Sequence, residues 1–129
     1  GQIYYLGAAL SSVENYFSGN VAIALVTQKM LQERGIEISD TEKSEAPNYL
    51  KSVVSWNIGI TFVEKALGVI GVNFRTRDEV KYDVAKIALA LGGGGHPAAA
   101  GTTINLPIDQ AKKYLLETIQ KVYPDLGNP

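Results

Sequence analysis

Four consecutive glycines at residues 92–95 constrain the fold of this chain more than any other feature, and His96 follows them directly. Each glycine loses more conformational freedom on folding than any other residue. A chain keeps such a run where the backbone needs positive φ angles or where another group must approach it closely. The run therefore predicts the end of the preceding element and a loop with a packing or functional role.

The residues before the glycines have the pattern of a short helix. Asp83 is placed to cap a helix over residues 84–91, and Gly92 is where such a helix should end. Its inward side consists of the apolar residues at helical spacing, namely Val84, Ile87, Ala88 and Leu91.

The loop itself has the features of an anion site. Four amides without side chains can form a concave nest of N–H donors, and the alanines at residues 98–100 can start a helical turn that adds to the same field. His96, the single histidine, could donate a hydrogen bond to a phosphate oxygen. The alternative is a flexible helix end with a surface histidine. The small residues at positions 97–101 favour a fixed loop, since a flexible linker would carry polar residues.

A hairpin is expected before this helix. Ile58, Ile60 and Phe62 alternate with other residues, residues 64–68 turn the chain, and a return strand follows. Ile70, Val72 and Phe74 lie on one face of the return strand. The other face carries Gly71, Asn73 and Arg75, with Arg77 if the strand continues, and that face looks functional.

The remaining segments complete an α/β pattern. The expected elements are a helix over residues 3–17, a strand over 21–26, a helix over 28–34 capped by Thr27, a helix over 44–54, a last strand within 98–104 and a closing helix from Pro107. The apolar stripe of the first helix consists of Ile3, Leu6, Leu10, Val13 and Phe17. We expect one α/β domain with a mixed sheet of about four or five strands and packed helices.

Composition excludes several classes of protein. The 129 residues fit one domain, and no apolar run approaches the length of a membrane span. Cysteine is absent, which excludes disulfides and cysteine chemistry and suits a cytoplasmic protein. The formal net charge of -1 argues against an extended surface for binding nucleic acid, so a phosphate ligand should bind at one local site.

Four blocks together resemble a known family. In order, they are Arg75-Thr76-Arg77, the segment Asp-Val-Ala-Lys-Ile-Ala at 83–88, the glycines with His96, and Ala-Ala-Gly at 99–101. Their order and spacing resemble the DHH-associated domain, which is the C-terminal lobe of DHH-family phosphoesterases. That family includes oligoribonucleases, cyclic-dinucleotide phosphodiesterases and exopolyphosphatase-related proteins.

The resemblance implies a substrate-binding role for the loop and the arginine block, which face a catalytic lobe across a cleft. The implied phosphate- and nucleotide-binding residues are Arg75, Thr76, Arg77, Gly92, Gly93, Gly94, Gly95 and His96. Arg75 would make a charge-assisted contact to the phosphate. Thr76 stands where the family commonly has serine, so the hydroxyl is retained. For Arg77, a solvated charge at the strand end is an equally good interpretation.

The resemblance also implies that the chemistry lies elsewhere. Family members hydrolyse phosphodiester bonds with manganese, or magnesium, held by an N-terminal lobe that carries an Asp-His-His motif. This chain has no such motif and a single histidine, so it should bind substrate without cutting it. We therefore expect residues 1–18 to be a linking helix from a catalytic lobe of the same polypeptide and residues 19–129 to be the substrate-binding domain. No catalytic or metal-binding residue is assigned to this chain.

Two other functions remain open. A free-standing RNA-binding module is one, since a distant relative of the domain lies at the end of alanyl-tRNA synthetases. An assembly domain, for example in a homodimer, is the other. If the chain is instead the lobe of a phosphoesterase, its expected partner is a short single-stranded oligonucleotide or a dinucleotide. No membrane partner is expected.

Overall fold

The fold is a six-stranded mixed sheet with helices packed against it. The computed structural model describes residues 12–34 and 56–129. The strands are β1 (Val13–Tyr16), β2 (Val21–Val26), β3 (Ile58–Ala66), β4 (Val69–Thr76), β5 (Gly94–His96) and β6 (Ala99–Ile104). The helices are α1 (Gln28–Arg34), α2 (Val84–Ala90) and α3 (Ile108–Val122), followed by a 3-10 turn at Pro124–Leu126.

The strands lie in the order β1-β2-β3-β4-β6-β5. β2 runs parallel to β3, and the connection between them contains α1, while every other neighbouring pair is antiparallel. The structure confirms a single mixed α/β domain, with more strands than the sequence predicted. The two additional strands are β1 and β5, which form the two edges of the sheet.

The expected helix over residues 3–17 is wrong at its C-terminal end. Val13–Tyr16 is a strand, paired antiparallel with β2 from Val13 opposite Ala24 to Tyr16 opposite Val21. Phe17 and Ser18 then turn the chain with positive φ angles of 54° and 57°. The partner strand satisfies the backbone of this segment, and that outweighs its helical spacing of apolar residues. The rest of that expected helix and the expected helix over 44–54 lie outside the described residues.

The two predicted helix caps are confirmed. The Thr27 hydroxyl oxygen accepts from the Met30 amide at 3.1 Å at the start of α1. The Asp83 carboxylate accepts from the Ala85 amide at 2.9 Å at the start of α2. The predicted hairpin of β3 and β4 forms, with Ile60 opposite Phe74 and Phe62 opposite Val72. Its turn is tighter than predicted, because β3 continues to Ala66 through an irregularity after Glu64. Helix α3 begins at Ile108, one residue after Pro107.

One face of the sheet packs against α2 and α3. The buried side chains on this face come from β3 and β4 and are Ile58, Ile60, Phe62, Ile70, Val72 and Phe74. Ile87 of α2 and Leu115 and Ile119 of α3 belong to the same cluster. The Thr102 hydroxyl on β6 donates to the Leu91 carbonyl at 3.1 Å, which places the end of α2 against this helix-covered face. No helix in the described ranges is long and apolar enough to cross a membrane.

Candidate functional site

The first two glycines of the run end helix α2. Gly92 has a φ of 85°, and its amide donates to the Leu89 carbonyl at 3.0 Å. The Gly93 amide donates to the Ala88 carbonyl at 2.7 Å. This pair of bonds is the Schellman arrangement that closes many helices. The amides of Gly92 and Gly93 therefore donate within the chain, so the predicted nest of four amides keeps at most two of them.

The last two glycines and His96 form β5, and the turn after them is not helical. Gly95 pairs with Ala100 and His96 with Ala99, so the alanines expected to start a helical turn instead begin β6. Strand pairing satisfies the backbone groups that a helical turn would have directed at an anion.

The close approach of β5 to β6 explains why glycine is needed at two positions. A Cβ at Gly93 would lie 2.6 Å from the Thr102 Cβ, and a Cβ at Gly95 would lie 2.6 Å from the Ala100 Cα. Gly95 also has a φ of 144°. At Gly94, by contrast, a Cβ would have no neighbour within 4 Å, and its φ is not in the positive range. The fold therefore accounts for every glycine of the run except Gly94.

The turn between β5 and β6 is fixed to the rest of the domain. The Pro97 carbonyl accepts from the Val84 amide at 3.0 Å, and the Ala98 carbonyl accepts from the Thr76 amide at 3.3 Å. At the start of α2, the Tyr123 hydroxyl accepts from the Asp83 amide at 2.7 Å. The hairpin turn is therefore anchored, as the fixed-loop interpretation expects, while His96 is exposed, as the alternative interpretation expects.

Strand register brings Arg75 and His96 to the same face of the sheet. Arg75 on β4 pairs with Ala99 on β6, and Ala99 pairs with His96 on β5. Directly opposed residues point to the same side of a sheet, and two strand spacings separate β4 from β5 by about 10 Å. In this register, Ala99 on β6 is the paired residue between the arginine and the histidine. We call these three residues the phosphate row, after the ligand that the sequence resemblance implies for Arg75 and His96.

The guanidinium of Arg75 is half-buried and held close to its own strand. Its Nη1 donates to the Phe74 carbonyl at 2.9 Å. Burial lowers the pKa of Arg75, although an arginine remains protonated at neutral pH. A positively charged fork held in this way is suited to a charge-assisted contact with an anion.

The structure does not bring the other two residues of the arginine block to this position. Thr76 is buried on the helix-covered face, where its hydroxyl accepts from the Asp78 amide and donates to the Asp78 carbonyl, both at 3.3 Å. Arg77 is exposed beyond the end of β4, and its amide donates to the Asn57 carbonyl at 2.9 Å. Thr76 thus has a structural role at the strand end, and Arg77 lies beside the phosphate row rather than in it.

Asn73 is a neighbour of the site that the sequence placed on the same strand face but did not assign to it. It pairs with Gly101 on β6, and Gly101 pairs with Gly94 on β5. We call Asn73, Gly101 and Gly94 the base row. Asn73 is exposed, whereas Thr61, its partner on β3, is 1% exposed. Along this row, the uncovered part of the face therefore begins at β4 and extends to β5.

The described residues hold no group of three or more His, Asp or Glu side chains arranged to bind a metal ion. The residues of this part of the chain do not fit the two-metal site that the resemblance implies for phosphodiester cleavage, and His96 is the single imidazole. An arginine, a histidine and backbone amides are groups that can bind an anion without a metal.

Comparison with known proteins identifies the family. The model of the DHHA1 domain matches residues 18–123. The chain is also 35% identical, over 118 residues, to the bifunctional oligoribonuclease and PAP phosphatase NrnA of Thermus thermophilus. That match covers 90% of this chain and 33% of the relative, so the chain spans about a third of its length. The chain belongs to the DHHA1 domain family, which confirms the resemblance drawn from the four sequence blocks.

Solved structures share the fold at lower sequence identity. An exopolyphosphatase-related protein from Bacteroides fragilis matches with a TM-score of 0.80 at 21% identity, over 97% of this chain and 36% of that one. The pGpG-specific phosphodiesterase PggH of Vibrio cholerae matches with a TM-score of 0.57 at 16% identity, over 96% and 39%. The C-Ala domain of Aquifex aeolicus alanyl-tRNA synthetase matches with a TM-score of 0.54 at 15% identity, over 82% and 96%.

Proposed function

We propose that this chain is the substrate-binding lobe of a DHH-family phosphoesterase that acts on short oligonucleotides or on cyclic or linear dinucleotides. The observation that carries the proposal is the phosphate row, which puts Arg75 and His96 on one face with a single alanine between them. Family membership supports the class of reaction in this proposal, and the phosphate row supports the proposed place of the substrate.

The phosphate is bound by groups of three kinds. The Arg75 guanidinium supplies a fixed positive charge, and the His96 imidazole supplies a hydrogen-bond donor. Because β5 is an edge strand, alternate N–H groups of Gly94–His96 point away from β6 and add backbone donors. Ala99 leaves room for the anion between the two side chains. No step of this binding needs a metal held by the chain.

Hydrolysis is assigned to a separate N-terminal lobe of the same polypeptide, with manganese or magnesium bound there. The relative that covers this chain is about three times as long and is named as an oligoribonuclease and phosphatase. The solved phosphodiesterase is likewise matched over 39% of its length. The isolated chain should therefore bind nucleotides without cleaving them. We also propose that the parent protein acts in the cytoplasm.

A second function has one observation in its favour. The C-Ala domain is matched over 96% of its own length, so this fold also occurs as a complete domain of alanyl-tRNA synthetase. On that alternative, the chain is an RNA-binding module that needs no catalytic lobe. The near-neutral charge favours the phosphoesterase proposal, because an extended RNA surface is usually basic.

The test is an NMR titration of the 129-residue chain with a linear adenine dinucleotide. We expect saturable shifts confined to residues 94–101 and to Asn73 and Arg75 on the same face of β4, which His96→Ala removes. Lys86→Ala is the matched control, because Lys86 is exposed on the helix that covers the opposite face, and the shifts should persist. Shifts spread over the surface, or shifts unchanged in His96→Ala, would contradict the proposal.

A further inference from the structure

We propose that Asn73 reads the base of the bound nucleotide and makes the site prefer adenine to guanine. This inference rests on the proposed function, which puts the phosphate of the nucleotide at Arg75 and His96. It adds a residue that determines specificity on the neighbouring base row.

The distance between the two rows along the strands is similar to the size of one nucleotide. Asn73 and Arg75 are two residues apart on β4, as are Gly94 and His96 on β5. Two residues of a strand span about 7 Å, which is comparable to the displacement of a base from the phosphate of the same nucleotide. A phosphate held on the phosphate row therefore brings its base over the base row.

The base row has a flat floor. Gly94 and Gly101 carry no side chains, and a Cβ at Gly94 would project into open space on the same face as His96. Neither a positive φ nor a close neighbour requires glycine at Gly94. A planar base can lie against the peptide groups there, and any side chain at Gly94 would occupy that space.

Asn73 lies at the β4 side of this flat surface. A Cβ at Gly101 would lie 3.2 Å from the Asn73 Oδ1, so the carboxamide leans over β6 toward β5. β4 is an interior strand between β3 and β6, and asparagine is disfavoured in strands. Among the described residues, no hydrogen bond to the Asn73 side chain offsets that disadvantage. An asparagine that lies in a strand despite its low strand propensity, with no hydrogen bond to compensate, is typical of a functional position.

The carboxamide matches the edge of adenine. Its N–H can donate to adenine N7 while its oxygen accepts from the N6 amino group, giving two hydrogen bonds. Guanine has two acceptors on that edge, O6 and N7, so one of the two bonds is lost. A carboxylate at this position would only accept, and guanine offers it adjacent N1–H and N2 amino donors on its other edge.

The experiment measures the affinities of the 129-residue chain for AMP, GMP and ribose 5-phosphate. We expect the unmodified chain to bind AMP about tenfold more tightly than GMP, the size of one well-formed base contact. Asn73→Ala should bring the AMP-to-GMP ratio close to one and leave ribose 5-phosphate binding unchanged. Asn73→Asp should invert the ratio in favour of GMP, whatever its effect on overall affinity.

Thr103→Ala is the matched control. Thr103 is exposed on the same face, two residues along β6 from Gly101, and the ratio should stay as in the unmodified chain. Equal loss of all three ligands in Asn73→Ala would overturn the inference, because Asn73 would then support the phosphate or the fold. Binding of AMP and GMP with equal affinity by the unmodified chain would overturn it and leave the proposed function intact. No binding of any of the three would overturn both.

Discussion

At the scale of single residues, the four glycines have different physical origins. Gly92 adopts the left-handed conformation that closes α2, and Gly93 and Gly95 leave room for the backbone of β6. The sequence indicated that the run served conformation or close approach, and both occur. It could not indicate which glycine serves which purpose, because this depends on β6, a partner outside the run.

Alanine substitution should separate these roles. Gly95→Ala should lower the free energy of unfolding by about 1–3 kcal/mol, since its Cβ would overlap Ala100 on β6. Gly94→Ala should change it by less than about 0.5 kcal/mol, or raise it slightly through the unfolded state. Urea unfolding of the two variants measures the difference. Equal destabilisation by both would mean that Gly94 is also required by the fold.

An ion pair ties β1 to α3. The Glu14 carboxylate accepts from the Tyr16 hydroxyl at 2.7 Å and from the Lys112 ammonium at 3.1 Å. Burial alone would raise the pKa of Glu14, but the two hydrogen bonds and the charge of Lys112 outweigh it and hold the pKa below its ordinary value. A lowered folded-state pKa stabilises the folded chain above the unfolded pKa, and this contribution is lost on acidification.

Glu14→Gln should therefore be less stable than the unmodified chain at neutral pH, by about 0.2–1 kcal/mol because the pair is partly exposed. The difference should disappear as the pH falls below the ordinary glutamate value of 4.5 and through the lower folded-state pKa. Urea unfolding as a function of pH measures it. A difference that is constant from neutral to strongly acidic pH would show that the pair contributes packing and no charge effect.

At the scale of elements, local signals were predictable and pairing across the sheet was not. The caps by Thr27 and Asp83 lie within a few residues of the helices they start, so the sequence contains the whole interaction. The edge strands β1 and β5 owe their conformation to β2 and β6, and neither segment has a strand pattern of its own. Thr76 is a different case, because strand alternation puts it on the same side as Ile70, Val72 and Phe74, whereas the resemblance implied a binding role; its hydroxyl is used by the turn at Asp78.

Tyr123, at the C-terminal end of α3, connects this helix to the start of α2. Its hydroxyl accepts from the Asp83 amide and donates to the Asp83 carbonyl, while its ring packs edge-on against Tyr82. Tyr123→Phe keeps the ring and removes both bonds, and should cost about 1 kcal/mol. Hydrogen exchange should become faster at Asp83 and Val84. Tyr114→Phe, on the exposed side of α3, should leave exchange there unchanged, and equal exchange in both variants would contradict this role of Tyr123.

At the scale of the whole molecule, the sheet has two unlike faces. One packs against α2 and α3, and the other carries the phosphate row and the base row near its β5 edge. The sequence anticipated the face of Arg75 from strand alternation and the loop from its glycines. Their position on two strands separated by β6 follows from the order β4-β6-β5, which no local pattern contains.

A lobe that grips one nucleotide differs from an RNA-binding module in how affinity depends on length and salt. We expect the affinity of the chain for adenine oligoribonucleotides to be nearly independent of length beyond two nucleotides. The logarithm of the affinity should fall with the logarithm of salt concentration with a slope near −0.7 to −1.4, the value for about one or two phosphates. Fluorescence anisotropy with labelled oligonucleotides measures both quantities. Affinity that grows steeply with length, with a larger slope, would support the RNA-binding alternative.

The central claim is that Arg75 and His96 hold the same phosphate, and a double-mutant cycle tests it most directly. The affinities of the chain, Arg75→Gln, His96→Ala and the double variant for a linear adenine dinucleotide would be measured by calorimetry. We predict that the two losses are not additive, with a coupling of about 0.5–3 kcal/mol. The pair Lys86→Ala and His96→Ala should be additive. Additive losses for Arg75 and His96, or no loss in either single variant, would contradict the claim.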